Sequence, residues 1–289
     1  MYKRNFVQSY FIQPNIKINK YSSSLDNEIY ALIKRLYYQT HRRPSTFLVG
    51  IIQPLIWLIL FSGLFQNIPI NLLKNDINYN QFLNPGIIIF TSFTGSINAG
   101  LPIMFDREFG FLNRILISPL TNRNSILFSS IINIWTITLL QVIIILIFST
   151  FMYKNSSLIY HICPIIYITS LIILHIASIS IYFSFILPGH IEFLAFVLLM
   201  NLPILFSSTA LAPLSFMPYW LQIMACLNPL TYAIEILRYI LLQNSYEYNY
   251  YLINTIWLQI NITESIYLLN IINISIIMIV QNLLRAKYK

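Results

Sequence analysis

Charged side chains are scarce in this sequence of 289 residues. Asp, Glu, Lys and Arg make up 9% of the chain, while 57% of the residues are hydrophobic. Typical soluble proteins are about 25% charged, so the composition excludes an ordinary soluble enzyme or binding domain. Several apolar runs reach the roughly 20 residues that a helix needs to cross a bilayer. The sequence therefore predicts an all-α integral membrane protein.

Cysteine is also rare, since the chain has only Cys163 and Cys226. Two cysteines cannot build a disulfide framework, and no cluster of His, Cys, Asp or Glu with metal-ligand spacing accompanies them. We interpret both as small apolar residues. No Ser–His–Asp or Cys–His pattern is found, so the sequence predicts neither a metal site nor an enzyme active site.

Only seven glycines are present. Gly95 and Gly100 have the GxxxxG spacing of a phosphate-binding loop, but Leu101 and Pro102 follow where such a loop needs Lys and then Ser or Thr. We therefore expect no nucleotide or other cofactor to bind to this chain. Gly95 and Ala99 are interpreted instead as small residues at a helix-packing contact.

A basic N-terminal segment precedes a domain of apolar spans. Residues 1–44 hold eight Lys and Arg and form the first unit, and residues 45–289 form the second. Apolar side chains within 29–42 recur at helical spacing, with Lys34 and Arg35 off the stripe, as in a helix lying along a membrane surface. A solvated helix is the alternative. Six transmembrane spans are predicted, at 45–65, 86–105, 126–152, 160–187, 193–216 and 262–283.

The distribution of positive charge predicts the orientation. Six spans place both termini on one side of the membrane, together with 106–125 and 188–192. These segments hold 14 of the 17 Lys and Arg residues. Since positive charge favours the inner side, we expect both termini and the segment after span two to face inwards.

Residues 105–123 gather five charges, whereas the twenty residues on either side have none. Read as one helix that ends before Pro119, the run FDREFGFLNRIL places Phe105, Phe109, Leu112 and Leu116 on a common face. Charges of both signs suit a protein partner better than they suit lipid phosphates. The alternative is a solvated loop whose acids neutralise its arginines.

The segment between spans five and six has its own helix signals. Asn228 is a good N-cap, Pro229 fits the first turn, and Glu235 and Arg238 are spaced to form a pair. The helix is too short to cross a bilayer, so we expect a re-entrant helix on the outer side. His175, in the fourth span, is interpreted as a hydrogen-bonded packing residue, because no acid lies at the centre of spans one to five.

Two of these motifs resemble those of ABC-2 type transport permeases, the membrane subunits of ABC exporters. FDREFGFLNRILISPLTNR resembles their first inner loop, and LNPLTYAIEILRYILL at 227–242 resembles the segment before their last span. The resemblance covers residues 29–289 and is greatest to plastid-encoded members in red algae. It implies that 29–42 is an interface helix beside an ATPase and that 105–117 is a coupling helix held in a cleft of that ATPase. The implied contacts are Phe105, Asp106, Arg107, Glu108, Phe109, Leu112 and Arg114, with His190 and Glu192 as a second inner contact.

The resemblance also implies partners and a location. A separate ABC ATPase would bind ATP and Mg²⁺, two permease copies would form the pathway among membrane lipids, and nucleic acid would not be bound. The sequence has 56 Ile and 25 Asn but only 9 Ala. This bias towards AT-rich codons agrees with an organelle genome and a plastid membrane.

The alternative is an ATP-independent carrier or an assembly scaffold, although a carrier should show internal repeats and no clear repeat is present.

Overall fold

The computed structural model describes residues 25–65, 79–117, 124–153, 161–242, 251–255 and 259–287. Eleven helices are described there: α1 Leu25–His41, α2 Pro44–Leu64, α3 Tyr79–Ser96, α4 Leu101–Glu108, α5 Phe111–Ile117, α6 Asn124–Tyr153, α7 Ile162–Ile186, α8 His190–Phe206, α9 Tyr219–Leu227, α10 Pro229–Leu242 and α11 Ile262–Lys287. The 3₁₀ turns Ile97–Gly100 and Leu214–Phe216 follow α3 and α8. Strands β1, Tyr251–Asn254, and β2, Gln259–Asn261, form a small antiparallel sheet before α11, a minor exception to the all-α prediction.

Five of the described helical segments are long and apolar enough to cross a membrane. They are α2, α6, α7, α11 and the segment Tyr79–Glu108, in which α3 continues through a 3₁₀ turn into α4. The pair α9–α10, bent by 87°, would make a sixth if it counts as one span. A helical multi-pass membrane protein is therefore confirmed, and the number six and the re-entrant outer helix remain predictions. The first 24 residues of the N-terminal unit lie outside the described ranges.

The predicted fifth span, 193–216, is wrong at its far end. Helix α8 stops at Phe206 after 17 residues, and the chain then turns through 207–213. Side chains from other elements bind the carbonyl groups of this turn. Arg238 donates to Thr209 O over 2.8 Å, and the Tyr79 hydroxyl donates to Leu211 O over 3.0 Å. These bonds satisfy backbone groups that a continuous helix would otherwise pair.

The segment α3–α4 forms the centre of the bundle. It packs against α2, α6, α7 and α10, and its side chains from Phe82 to Ile97 are buried without exception. Helices α6 and α7 can pack closely against this segment because it has glycine at the points of contact. A Cβ on Gly95 would lie 2.6 Å from Gln141 Oε1, and one on Gly100 would collide with the carbonyl of Ser180. The packing interpretation of Gly95 agrees with these contacts, which lie within one chain.

Helix α1 lies alongside the first half of α6. The hydroxyl groups of Tyr37 and Thr136 are hydrogen bonded, and Ser125 donates to Glu28 over 3.5 Å. Leu36, on the predicted apolar stripe, is only 3% exposed. The predicted helix is confirmed, but protein covers part of the face that we expected to lie on lipid.

Candidate functional site

The predicted single helix at 105–117 is broken at Gly110. Helix α4 ends at Glu108, Phe109 N donates to Phe105 O over 2.9 Å, and Gly110 takes a φ of +72° before α5 begins. This left-handed conformation is accessible to glycine and strained for other residues. The sequence pattern missed it because the apolar spacing continues through the break.

The break separates the residues that we predicted to share one face. Phe109 is 74% exposed, whereas Leu112 is 2% exposed and packs with Ile103 and Leu127 in the core. Leu112 therefore contacts this chain and cannot fill a cleft on a partner. Phe105 is half-buried, with its ring stacked on Phe109 at a centroid distance of 6.0 Å.

Arg107 binds the C-terminal end of α7. Its Nη1 donates to Ser184 O over 2.8 Å, and its Nη2 donates to Leu187 O and, over 2.7 Å, to Pro188 O. The last carbonyl groups of a helix have no partner within that helix and carry partial negative charge. A guanidinium group supplies several donors in a fixed geometry. Arg107 therefore caps α7.

Glu108 binds the N-terminal end of the next helix, α8. Its Oε2 lies 2.5 Å from His190 Nδ1 and 3.4 Å from the His190 backbone nitrogen, which donates to it. A carboxylate is favourable at a helix N-terminus, where backbone N–H groups are unpaired. Phe105 completes this contact, with its ring 5.4 Å from the His190 imidazole.

Asp106 joins α4 to α1. Its carboxylate forms an ion pair with Arg35, and the Arg35 guanidinium also lies 4.9 Å from the centroid of the Phe111 ring in α5. The side chain of Asp106 is 14% exposed, so this pair is shielded from water more than the Glu108–His190 pair. The sequence indicated only that Arg35 lies off the apolar stripe of α1, because residues 71 positions apart give no local signal of a contact.

Two of the predicted contact residues have no partner within the described part of the chain. Arg114 on α5 and Glu192 on α8 are both exposed there. With Phe109 they form what we call the exposed tip, which also includes Ile117, 85% exposed. The tip lies at the end of the bundle that holds α4 and α5, called the α4 end below.

The residues of the predicted outer helix lie together at the opposite end. Asn228 Oδ1 accepts from Leu230 N over 3.0 Å and its Nδ2 donates to Ile204 O over 2.9 Å, so it caps α10 and ties it to α8. Pro229 is the first residue of α10, as expected. Arg238 forms an ion pair with Glu235.

Arg238 is almost fully buried, which its position in the sequence did not indicate. It is 7% exposed, and its guanidinium lies 3.7 Å from the centroid of the Phe82 ring at the start of α3. Together with the bond to Thr209 O, these contacts join α10, α3 and the turn after α8.

Within the described ranges, no group of three or more His, Cys, Asp or Glu could hold a metal ion. Cys163 and Cys226 are both free, the first exposed and the second half-buried. His175 is buried in α7, with 4% exposure. The chemistry of the α4 end is therefore that of hydrogen bonds, ion pairs and apolar contact.

A bundle of membrane-crossing helices, with a charged segment joining several of them at one end, defines a multi-pass membrane protein. Residues 27–242 match the family model of the ABC-2 type transporter. The chain is 56% identical over 225 residues to proteins named as a transport permease, ycf38, in Porphyra purpurea and Pyropia yezoensis, with 76% of each chain covered. It is 50% identical over 213 residues to the protein of that name in Cyanophora paradoxa, covering 74% of this chain and 73% of that one.

The chain belongs to the ABC-2 type transporter family, and the resemblance seen in its sequence is confirmed. It is thus a membrane subunit of a transporter.

Proposed function

We propose that this chain is the permease of an ATP-driven exporter in a plastid membrane, and that a separate ATPase subunit binds at the exposed tip. Both termini would face the compartment that holds ATP. The observation that supports the proposal is the combination of an exposed aromatic side chain, Phe109, with three preceding charged residues that each bind a different helix.

This arrangement suits the transmission of motion. Asp106 binds α1, Arg107 binds the end of α7, and Glu108 binds the start of α8. Energetic coupling between distant sites travels through networks of hydrogen bonds and ion pairs and through rigid helices. A partner that moves Phe109 would therefore displace α4 and, through it, the three helices that α4 holds.

The exposed tip also fits a protein partner by its chemistry. Aromatic residues and Arg are enriched at binding hot spots, and Phe109 and Arg114 are both exposed. Glu192 supplies a negative charge without a described partner, so it is free to pair across an interface. ATP and Mg²⁺ would bind to the partner, where hydrolysis occurs.

A photo-crosslinking residue at position 109 of the full-length chain, in its native membrane, tests this proposal. We expect an adduct with a protein that contains the GxxxxGK[ST] motif. Position 151 is the matched control, since Phe151 is 87% exposed and lies at the C-terminal end of α6, whereas α6 begins after α5 at the α4 end. Adducts with such an ATPase at 151 and none at 109 would contradict the proposed site.

Substitutions at the α4 end should then separate folding from coupling. Glu108 and His190 are about one-third exposed, and exposed ion pairs contribute only about 0–1 kcal/mol, so Glu108→Ala and Glu108→Arg should leave the protein folded. We expect both, and Phe109→Ala, to lower the amount of ATPase retained or to uncouple hydrolysis from transport. Phe151→Ala should change neither. If the variants keep full ATPase binding and full transport, this segment is a solvated loop and does not couple the ATPase to the permease.

A homodimer is part of the proposal, but the small residues of the central segment do not form its interface. Gly95, Ala99 and Gly100 are buried within the chain, so a dimer must use other surfaces. Native mass spectrometry of the detergent-solubilised protein should show two copies. A strict monomer that still supports transport would rule the dimer out.

A further inference from the structure

A cavity of about 340 Å³ lies beside α4, apart from the exposed tip. Helices α1, α2, α3, α4 and α6 form its walls, with Leu194 of α8 at one side. Apolar side chains such as Leu36 and Ile137 line it, together with several polar residues that include Asn133 and Gln141. Arg43, which lies between the end of α1 and the start of α2, also lines the cavity.

In the described part of the chain, the side-chain oxygens of two buried amides in the cavity wall have no donor to pair with. Asn133 is 4% exposed and Gln141 is 3% exposed. Neither Asn133 Oδ1 nor Gln141 Oε1 accepts a hydrogen bond from the described residues. Gln141 Nε2 donates to Phe47 O over 3.2 Å, which fixes the direction of that amide and leaves its oxygen as a spare acceptor. Buried polar groups are nearly always paired, so these two acceptors call for donors.

The neighbouring helices are shaped around the Gln141 side chain. A Cβ on Gly50 of α2 would collide with the Gln141 amide, and a Cβ on Gly95 of α3 would lie 2.6 Å from its oxygen. Two of the seven glycines in the chain therefore face this one side chain. The amide occupies a fitted position between α2 and α3.

Arg43 contributes positive charge to the same cavity. Its guanidinium lies 5.2 Å from the centroid of the Phe105 ring, and it has no acidic partner in the described ranges. The residue is exposed, so an anionic group can reach it. The lining thus combines a cation, two amide side chains whose buried oxygens lack donors among the described residues, and apolar surface.

We propose that this cavity binds the headgroup of a membrane lipid that carries an anionic group and hydroxyl groups. The hydroxyl groups donate to the oxygens of Asn133 and Gln141, the anionic group pairs with Arg43, and an acyl chain covers the apolar lining. Phosphatidylglycerol has this chemistry. Phosphatidylcholine lacks the hydroxyl donors and carries a compensating positive charge. The inference does not depend on ATP-driven transport, because the lipid would bind to the permease alone.

Native mass spectrometry of the purified full-length chain, titrated in detergent with each lipid, measures this binding. We expect phosphatidylglycerol to be retained in preference to phosphatidylcholine and to phosphatidic acid, which is anionic but lacks the glycerol hydroxyl groups. Asn133→Leu and Arg43→Gln should each weaken phosphatidylglycerol binding about tenfold, since each removes a partner of the headgroup. Gln141→Met is a second test of the acceptors, because it removes the amide while keeping a side chain of similar length. It should also weaken phosphatidylglycerol binding.

Asn273→Leu is the matched control. Asn273 is a buried amide, 5% exposed, whose Nδ2 donates to Leu171 O over 3.1 Å, but it lies on α11 outside the cavity lining. It should leave lipid binding unchanged. Equal retention of all three lipids, or equal binding by all variants, would overturn the proposal. Binding of free glycerol 3-phosphate as tight as that of the lipid would also overturn it, because the site would then take a soluble ligand.

Discussion

Arg107 and Glu108 are neighbours in the sequence, and they bind opposite sides of one turn. Arg107 donates to carbonyl groups at the end of α7, and Glu108 accepts from the first backbone N–H of α8. Each charge therefore complements the helix end that it meets. Reversing the order of the two residues would place a carboxylate beside carbonyl groups, so the order Arg–Glu has an electrostatic reason.

Loss of the Arg107 cap should destabilise the protein. Arg107→Met removes hydrogen bonds from a charged donor, each of which contributes about 1.5–3 kcal/mol, and leaves the carbonyls at the end of α7 unpaired. We expect a lower midpoint in thermal unfolding in detergent. Arg114→Met is the control, since Arg114 is exposed without a described partner and should change stability by less than about 0.5 kcal/mol. Equal midpoints for both variants would show that the cap contributes nothing.

Gly110→Ala should also destabilise the protein, because φ is +72° there. An L-residue in this conformation costs roughly 1–2 kcal/mol. Gly63→Ala tests the same substitution within helix α2, where an added Cβ has no atom within 4 Å. We expect it to be neutral or stabilising by up to about 1 kcal/mol, because alanine favours helix. Gly110→Ala should therefore lower the unfolding midpoint and Gly63→Ala should not, and a neutral Gly110→Ala would mean that the turn relaxes.

The Glu235–Arg238 pair should show strong coupling. Both side chains are largely buried, and removing one partner of a buried pair costs about 3–5 kcal/mol, because the other charge remains. We expect Arg238→Met to be severely destabilising and the double variant Arg238→Met/Glu235→Gln to recover part of the loss. A double-mutant cycle on unfolding measures the coupling. Simple additivity of the two losses would contradict a direct interaction.

Cysteine labelling checks the orientation. In a background without Cys163 and Cys226, cysteines at positions 20 and 114 should react from the ATP-containing side, and those at 78, 155 and 247 from the other side. Position 114 is suitable because Arg114 is exposed, whereas the neighbouring Ile115 is 8% exposed. Labelling of 114 together with 78 would refute the positive-inside argument.

The helices themselves could be predicted from the sequence, since apolar runs near 20 residues have few other interpretations. Their ends were less certain. The apolar run of the fifth span continues to Met217, yet α8 stops at Phe206. The turn there is fixed by Arg238 and Tyr79, which are distant in the sequence. Apolarity indicates which residues avoid water and does not indicate where backbone groups find partners.

The candidate site was predictable as a place but not as a set of contacts. The concentration of charge at 105–123 marked it, and periodicity then placed Leu112 beside Phe109. A single positive φ at Gly110 reversed that placement. The partners of Asp106 and Arg107 lie more than 70 residues away, and nothing local specifies them. The cavity was not predictable, because its amides Asn133 and Gln141 are uncharged and lie among the apolar residues of a span.

The burial of Tyr79–Glu108 has a consequence for biogenesis. In its most apolar stretch 83% of the residues are buried by protein, against 17% for α2, and it carries polar residues such as Asn84 and Ser92. In the finished protein its neighbours, rather than lipid, solvate these groups. During synthesis those neighbours are absent, so this segment should enter the bilayer inefficiently until α6 and α7 have been made. A chain truncated after residue 117 should therefore leave it partly uninserted, as glycosylation mapping would show, while extension to residue 190 should restore insertion.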